Sequence, residues 1–283
     1  MKNLHLIAIY FLIVLSSFLF ACGAEKQTEK AAQTLSVEEV KITKNKKRVV
    51  LSPKNEQLTQ GELVLEVAYP QFKLGDSTQN IEGLNKMIKT LIDTTIARHF
   101  SQGQGLSAEA DEKNDTVRVK AEEISMYSSN AAAASRGLYI AYKIHKQAPD
   151  YVEIEFGFNE YTGGAHGMNY TSTIHYDVAN KKDLAFADLF ASNSSFLNQI
   201  SQTTINELMA KKDQIGTDSS FVYAGAGAKE ENFRNFLTTN DSLRLLFDPY
   251  AVAPYAAGPQ VIKIPFSKLE SILNKNCIAL KSK

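Results

Sequence analysis

The chain has 283 residues, enough for one large domain or two small ones, and its 44% hydrophobic and 22% charged residues are an ordinary globular balance. Its 31 basic and 31 acidic residues cancel to a formal charge of zero. Non-specific nucleic-acid binding needs a basic surface, so no nucleic-acid partner is expected.

At the N-terminus, Lys2 is followed by an apolar run from Leu4 to Phe20, interrupted by His5, Ser16 and Ser17. Leu19-Phe20-Ala21-Cys22 then resembles a bacterial lipobox. On this reading residues 1–21 are a lipoprotein signal peptide and Cys22 carries the lipid. More than one acyl chain is then needed for stable attachment to a membrane. A plain signal peptide and an N-terminal membrane helix stay open, since the run is about long enough to span a bilayer. Gly23 in place of Asp after the cysteine points to an outer membrane, in a cell that has one. The expected address is the bacterial envelope. With Cys22 acylated, Cys277 has no partner, so no disulfide is expected and Cys277 reads as a small buried hydrophobe.

Residues 22–34 are polar and lack periodicity, and read as a tether. Val37–Val50 reads as a hairpin turning at Lys44-Asn45-Lys46-Lys47, and Leu63–Tyr69 as a strand closed by Pro70. Leu84, Met87, Ile88, Leu91, Ile92, Thr95, Ile96 and Phe100 recur with helical spacing and form one apolar stripe, with capping candidates in Asp76–Asn80. Asp111–Ala134 has no clear pattern beyond a strand beginning at Val117–Val119.

Three alternating segments follow: Leu138–Ile144, Val152–Phe158 and Tyr170–Val178. Period two with one polar face predicts an antiparallel sheet covered on one side only. Pro149-Asp150 turns the first pair and Gly163–Asn169 the second. Asn193–Lys212 reads as a second amphipathic helix, Phe221–Gly227 as loose and Phe233–Leu237 as a helical turn. Leu243–Phe247 and Val261–Phe266 read as strands, and Ser267 as the cap of a final short helix. The expected class is α+β: antiparallel sheets with amphipathic helices packed on one face, in two closely associated lobes.

YTGGAHG (Tyr161–Gly167), a following strand of Thr and Tyr, and Asp188-Leu189-Phe190 before a helix come in a distinctive order. FDPYAVAPYAAGPQVIKIPFSKL (Phe247–Leu269) completes it. Together they resemble the extracytoplasmic domain of RsiV-type anti-sigma factors, shared with the non-catalytic region of PdaC-type peptidoglycan deacetylases. VAYPQF (Val67–Phe72) and the helix from Leu84 resemble the PdaC-type N-terminal half. The resemblance spans Leu63–Leu273 and implies a PdaC-like lobe over 35–134 and an RsiV-like lobe over 135–283. RsiV-type members bind lysozyme with this domain, and PdaC-type members carry a separate deacetylase domain after it. The chain leaves no room for that enzyme domain and lacks a sigma-binding segment, so a binding module is what the resemblance leads one to expect.

Glycine-flanked His166 is the most conspicuous candidate for chemistry. A metal would need Glu160, His175 and Asp177 to converge on it, and no HExxH or CxxC pattern is present. A general base would need a nucleophile, and no GxSxG elbow exists. The favoured reading is a turn histidine, with Gly163, Gly164 and Gly167 supplying positive φ. No catalytic residue, metal or cofactor is expected. The loop Asp248–Gly258 is stiffened by prolines and carries Tyr250 and Tyr255, residues suited to interfaces. Tyr161, Gly163, Gly164, His166, Tyr250, Pro254 and Tyr255 are therefore the ligand-contact candidates. GAGAKE (Gly225–Glu230) lacks a phosphate-loop ending and reads as a flexible loop. The functional expectation is a non-enzymatic envelope protein that binds a lysozyme-like protein or peptidoglycan. The alternatives are a polysaccharide deacetylase or hydrolase using His166, and a structural lipoprotein.

Overall fold

The computed structural model describes residues 34–51, 58–75, 81–101, 106–111, 116–121, 135–163 and 165–281. The expected signal peptide, Cys22, the tether before Thr34, the capping candidates 76–80 and Gly164 lie outside them.

Strands β1 (Leu35–Leu51) and β2 (Leu58–Leu74) are antiparallel partners over 17 residues each. The turn expected at Lys44–Lys47 does not form: Lys44 pairs with Leu65 and Lys47 with Glu62. β1 is the edge of its sheet. Lysines on an edge strand discourage pairing with another chain, so a basic run there is compatible with extended backbone.

Pro70 does not end β2 either. β5 (Arg136–Gln147) borders β2 only at Leu63–Val67, so the later residues have a free side. Phe72 uses that side: its N–H donates to the Asn85 side chain at 2.9 Å, and the Asn85 amide returns a bond to its carbonyl at 2.9 Å. Pro70, two residues earlier, has its missing N–H on the same free side, where proline costs no ladder bond.

Helix α1 (Glu82–Ser101) forms as its spacing predicts. Leu84, Ile88, Ile92, Thr95, Ile96 and His99 are buried along one face. Each fully buried Leu or Ile contributes roughly 1.5–3 kcal/mol, well above propensity differences of a few tenths. The stripe packs on Val67, Phe72, Leu138, Ile154, Phe156 and their neighbours in the first core.

A hairpin of β3 (Leu106–Asp111) and β4 (Thr116–Ala121) follows. Then come β5, β6 (Tyr151–Tyr161), β7 (Met168–Asp177) and the short β8 (Lys182–Asp183), giving a six-stranded sheet in the order β1-β2-β5-β6-β7-β8. Its pairs are antiparallel except β2–β5. That parallel pair departs from the expectation, and α1 with the β3–β4 hairpin forms the long crossover such a pair requires. Chain on both sides of residue 134 thus contributes to one sheet.

A second core gathers α2 (Phe196–Ala210), α3 (Ser219–Ala226) and a three-stranded antiparallel sheet, β11-β10-β9. Its strands are β9 (Phe236–Thr238), β10 (Ser242–Phe247) and β11 (Gln260–Pro265). Three local expectations fail here. Phe221–Gly227 is not loose: it lies largely in α3, capped by Asp218, whose carboxylate accepts the Phe221 N–H at 3.0 Å. Phe233 ends a 3-10 turn, after which the chain extends into β9. The final helix is only a 3-10 turn at Phe266–Lys268. Beyond it the backbone is claimed by other partners: Ala191 bonds to the Ile272 carbonyl and Asn274 to that of Leu189, each at 2.8 Å.

The α+β class with antiparallel-rich sheets is as expected, but the outer face of the large sheet is not uniformly wet. At one end the second core covers it and buries Tyr151, Glu153, His175 and Asp177. His175 stacks on Phe236 with ring centroids 3.8 Å apart. Thr238 Oγ1 donates to Glu153 at 2.5 Å. The carbonyl of Phe236 accepts from His175 Nε2 at 3.0 Å, which fixes a proton on that nitrogen. At its other end this face is open.

Candidate functional site

The hairpin between β6 and β7 carries the glycine-flanked histidine. Gly163 has φ +102°, which a side chain would strain. Gly167 does not share that conformation; its constraint is space, since a Cβ there would lie 3.0 Å from the Glu160 carbonyl. His166 is exposed and donates from Nδ1 to its neighbour Gly167's carbonyl at 2.9 Å.

The two stretches singled out from the sequence meet here. The Tyr255 hydroxyl donates to the Gly167 carbonyl at 2.9 Å, and its ring stacks on His166 at 4.1 Å between centroids. Tyr250 lies 5.5 Å from Tyr255, ring to ring, is 48% exposed, and is held at φ +70°. Pro254 precedes the 3-10 turn Tyr255–Ala257 and accepts the Ala257 N–H at 3.0 Å. The loop is anchored from beneath. Val252 and Ala253 are buried, Thr217 donates to the Val252 carbonyl at 2.8 Å, and the backbone of Gly225 in α3 lies against Ala251. Tyr161 closes β6 opposite Gly137, on the same face of the sheet as the open region described below.

The residues that a metal at His166 would need do not converge. Glu160 binds His99 Nδ1 at 2.8 Å, His175 lies in the covered end of the sheet, and Asp177 holds Asn180 at 2.8 Å. Among the described residues no group of three or more His, Cys, Asp or Glu is arranged to hold an ion. GAGAKE is not a flexible loop at its start, because Gly225 and Ala226 complete α3.

Beside this rim, the open part of the outer sheet face forms a trough of about 640 Å³. Strand register sets its floor. One row across the sheet is Lys41, Ala68, Ala141, Gly157 and Thr171; the next is Thr43, Glu66, Tyr139, Asn159 and Asn169. Five strands at about 4.8 Å spacing make the trough ~19 Å long. Asp248, Pro249 and Pro259 close it from the second core. Asn159 donates to Asn169 at 2.6 Å. Tyr139 is 40% exposed, and its ring leans back over Gly137, where a Cβ would come within 3.2 Å of it. Burial pushes the Asp248 carboxyl above the ordinary aspartate range, against the opposing hydrogen bonds from Thr171 and the charge of Arg234. Sequence reading missed Tyr139, Gly157, Asn159 and Asn169. The signal available was a glycine in the middle of an alternating strand.

Comparison with known proteins agrees with this architecture. A family described as "Protein of unknown function (DUF3298)" matches residues 187–267. The peptidoglycan-N-acetylmuramic acid deacetylase PdaC of Bacillus subtilis is 36% identical over 141 residues, half of this chain and 30% of that protein. The immunogenic protein MPT64 of Mycobacterium tuberculosis is 29% identical over 111 residues, 39% of this chain and 47% of that one. The chain therefore spans less than half the length of these relatives. A crystal structure of a DUF3298 member from Bacteroides fragilis superposes with a TM-score of 0.56 at 22% identity, covering 89% of this chain and 100% of that one. Another from Pseudomonas aeruginosa PAO1 gives 0.51 at 18% identity, covering 85% and 96%. The chain carries a PdaC-like domain and shares the fold of the DUF3298 structures. Among the described residues no helix is long and apolar enough to cross a membrane.

Proposed function

We propose that this chain is a non-enzymatic, lipid-anchored binding protein of the bacterial envelope. It holds a cell-wall glycan or a lysozyme-like protein against the rim formed by the Tyr161–Met168 hairpin and the Asp248–Gly258 loop. The observation that carries this reading is the bond from Tyr255 to the Gly167 carbonyl. It makes one surface of two loops 88 residues apart, on which Tyr250 is exposed and Tyr255 stacks on the exposed His166. Rigid aromatic side chains on anchored loops offer contact area at low ordering cost. The name of the PdaC relative places that protein's substrate in peptidoglycan, which supports the same ligand class here. The RsiV-like reading of the C-terminal half supports a lysozyme-like partner. Cys22 supplies the anchor.

A deacetylase or hydrolase built on His166 is less well supported. One ring nitrogen is committed to Gly167, one ring face is covered by Tyr255, and the nearest candidate partners bond elsewhere. The test is retention of the purified protein on peptidoglycan sacculi and on immobilised lysozyme, with Tyr255→Ala alongside. Retention on one of them that falls at least tenfold in the variant is expected. Retention on neither, or equal retention of the variant, would refute the proposal.

A further inference from the structure

Gly157 has no role inside the fold that explains it. It lies mid-strand in β6, bonded to β5 on one side and β7 on the other. A glycine there destabilises by roughly 0.5–1 kcal/mol relative to alanine. Such residues usually mark a bulge, a bend, or the close approach of another backbone or a ligand. The β6–β7 register runs unbroken from Tyr151 to Glu160, and the one irregularity with β5 falls at Ile144/Lys146. Gly157 is not among the positive-φ residues, and an added Cβ would meet nothing within 4 Å. What the missing side chain leaves open is the middle of the trough.

We propose that this trough is a saccharide site, which takes a short uncharged oligosaccharide laid across the strands. Sugar rings present apolar faces and polar edges, and the lining offers both complements. Tyr139, Pro249 and Pro259 give flat apolar surface, while Asn159, Asn169 and Asp248 give fixed polar groups. The volume is that of an ordinary small-molecule pocket. Charge argues for a neutral ligand: Lys41 is engaged by Glu39 at 2.7 Å, and Glu66 and Asp248 would repel an anion. A peptide is disfavoured over the middle of the trough because peptides join sheets at edges through the backbone, whereas Ala141, Gly157 and Asn159 lie in β5 and β6, whose backbone there is paired within the sheet. The inference deepens the proposed wall-binding role and rests on it for the source of the sugar.

The experiment is isothermal titration calorimetry of the purified full chain with an N-acetylglucosamine trimer, cellotriose and, as the peptide arm, penta-alanine. At least one saccharide should bind at one per chain. Gly157→Val should weaken it at least tenfold with no fall in Tm, since a β-branched residue suits the strand. If that variant proves destabilised, Tyr139→Ala, which removes an exposed ring, decides the matter by the same tenfold loss. Binding of neither sugar, binding of penta-alanine in their place, or full affinity in Tyr139→Ala and in a stable Gly157→Val would each overturn the saccharide site. Retention on sacculi or lysozyme that depends on Tyr255 but not on Gly157 would sink the trough and leave the rim reading standing. Sugar binding lost in Gly157→Val, without Tyr255-dependent retention, would do the reverse.

Discussion

Tyr255 reaches across 88 residues of sequence to donate its hydroxyl to the carbonyl of Gly167, which His166 also uses at the same 2.9 Å distance. Both lone pairs of that carbonyl are thereby engaged. Tyr255→Phe removes one of the two bonds and keeps the ring, so it should cost about 0.5–1.5 kcal/mol in chemical denaturation. Tyr255→Ala also removes the stack on His166. It should leave the hairpin and the proline loop to move independently, and retention of the wall ligand should fall much further than stability does.

Gly225 gives a prediction opposite in sign to helix propensity. It lies in α3, where alanine is normally favoured by about 1 kcal/mol. A Cβ there would sit 1.8 Å from the Ala251 carbonyl oxygen and 2.9 Å from Val252. Gly225→Ala must push the helix or the loop away, so a net loss of about 1–3 kcal/mol is expected by denaturant midpoint. The displaced loop carries Tyr250 and Tyr255, so ligand retention should weaken in parallel. A variant more stable than the parent would show that the close approach is wrong.

These contacts also show where the sequence was readable. The α1 stripe and the alternation in β5, β6 and β7 are local periodicities, and they forecast the first core and the hairpin bearing His166. The aromatic rim was legible as two separate motifs, because glycine and proline announce loops wherever those loops end up. That the motifs touch was not legible, since the contact is set by how the second core docks on the sheet. The same docking hides Glu153, His175 and Asp177, whose alternation reads as a solvent face. The trough was invisible for a related reason: its floor is assembled from single residues of five strands, and only register brings them into rows. Lys44–Lys47 misled because a basic run suits an edge strand as well as a turn.

The seam between the sheet and the second core depends on Thr238. It gives Glu153 a backbone N–H at 3.1 Å as well as its hydroxyl. Thr238→Val keeps the shape and removes the hydroxyl from a fully buried carboxylate. A hydrogen bond to a charged group contributes about 1.5–3 kcal/mol, and a loss of that size is expected in equilibrium denaturation. The seam lies at the covered end of the sheet, so retention of ligand at the rim should stay within twofold of the parent. Coupled loss of both would mean that the two ends of the sheet are not independent.

Acid should weaken the fold through two carboxylates and spare it through a third. Burial pushes Glu153 and Glu160 upward, but His175 and Thr238 around the first, and His99 and Arg98 around the second, outweigh it and hold both below the ordinary glutamate value of 4.5. Protons therefore bind the unfolded chain more readily, and the stability these groups supply is complete above that value and lost as pH falls through it towards their lower folded values. Asp248 has the opposite sign. Its carboxyl is raised above 3.8, so ionising it in the fold subtracts stability as pH rises through the window just above that value. Denaturation midpoints measured from pH 3 to pH 7 should drop on the acid side for the parent, and less steeply for Glu153→Gln, even though that variant starts lower. Asp248→Asn should remove the opposing contribution and make the rise of stability between pH 4 and pH 7 steeper than in the parent. A parent profile flat down to pH 3 would contradict the pairing of Glu153 with His175 and Thr238 and of Glu160 with His99 and Arg98.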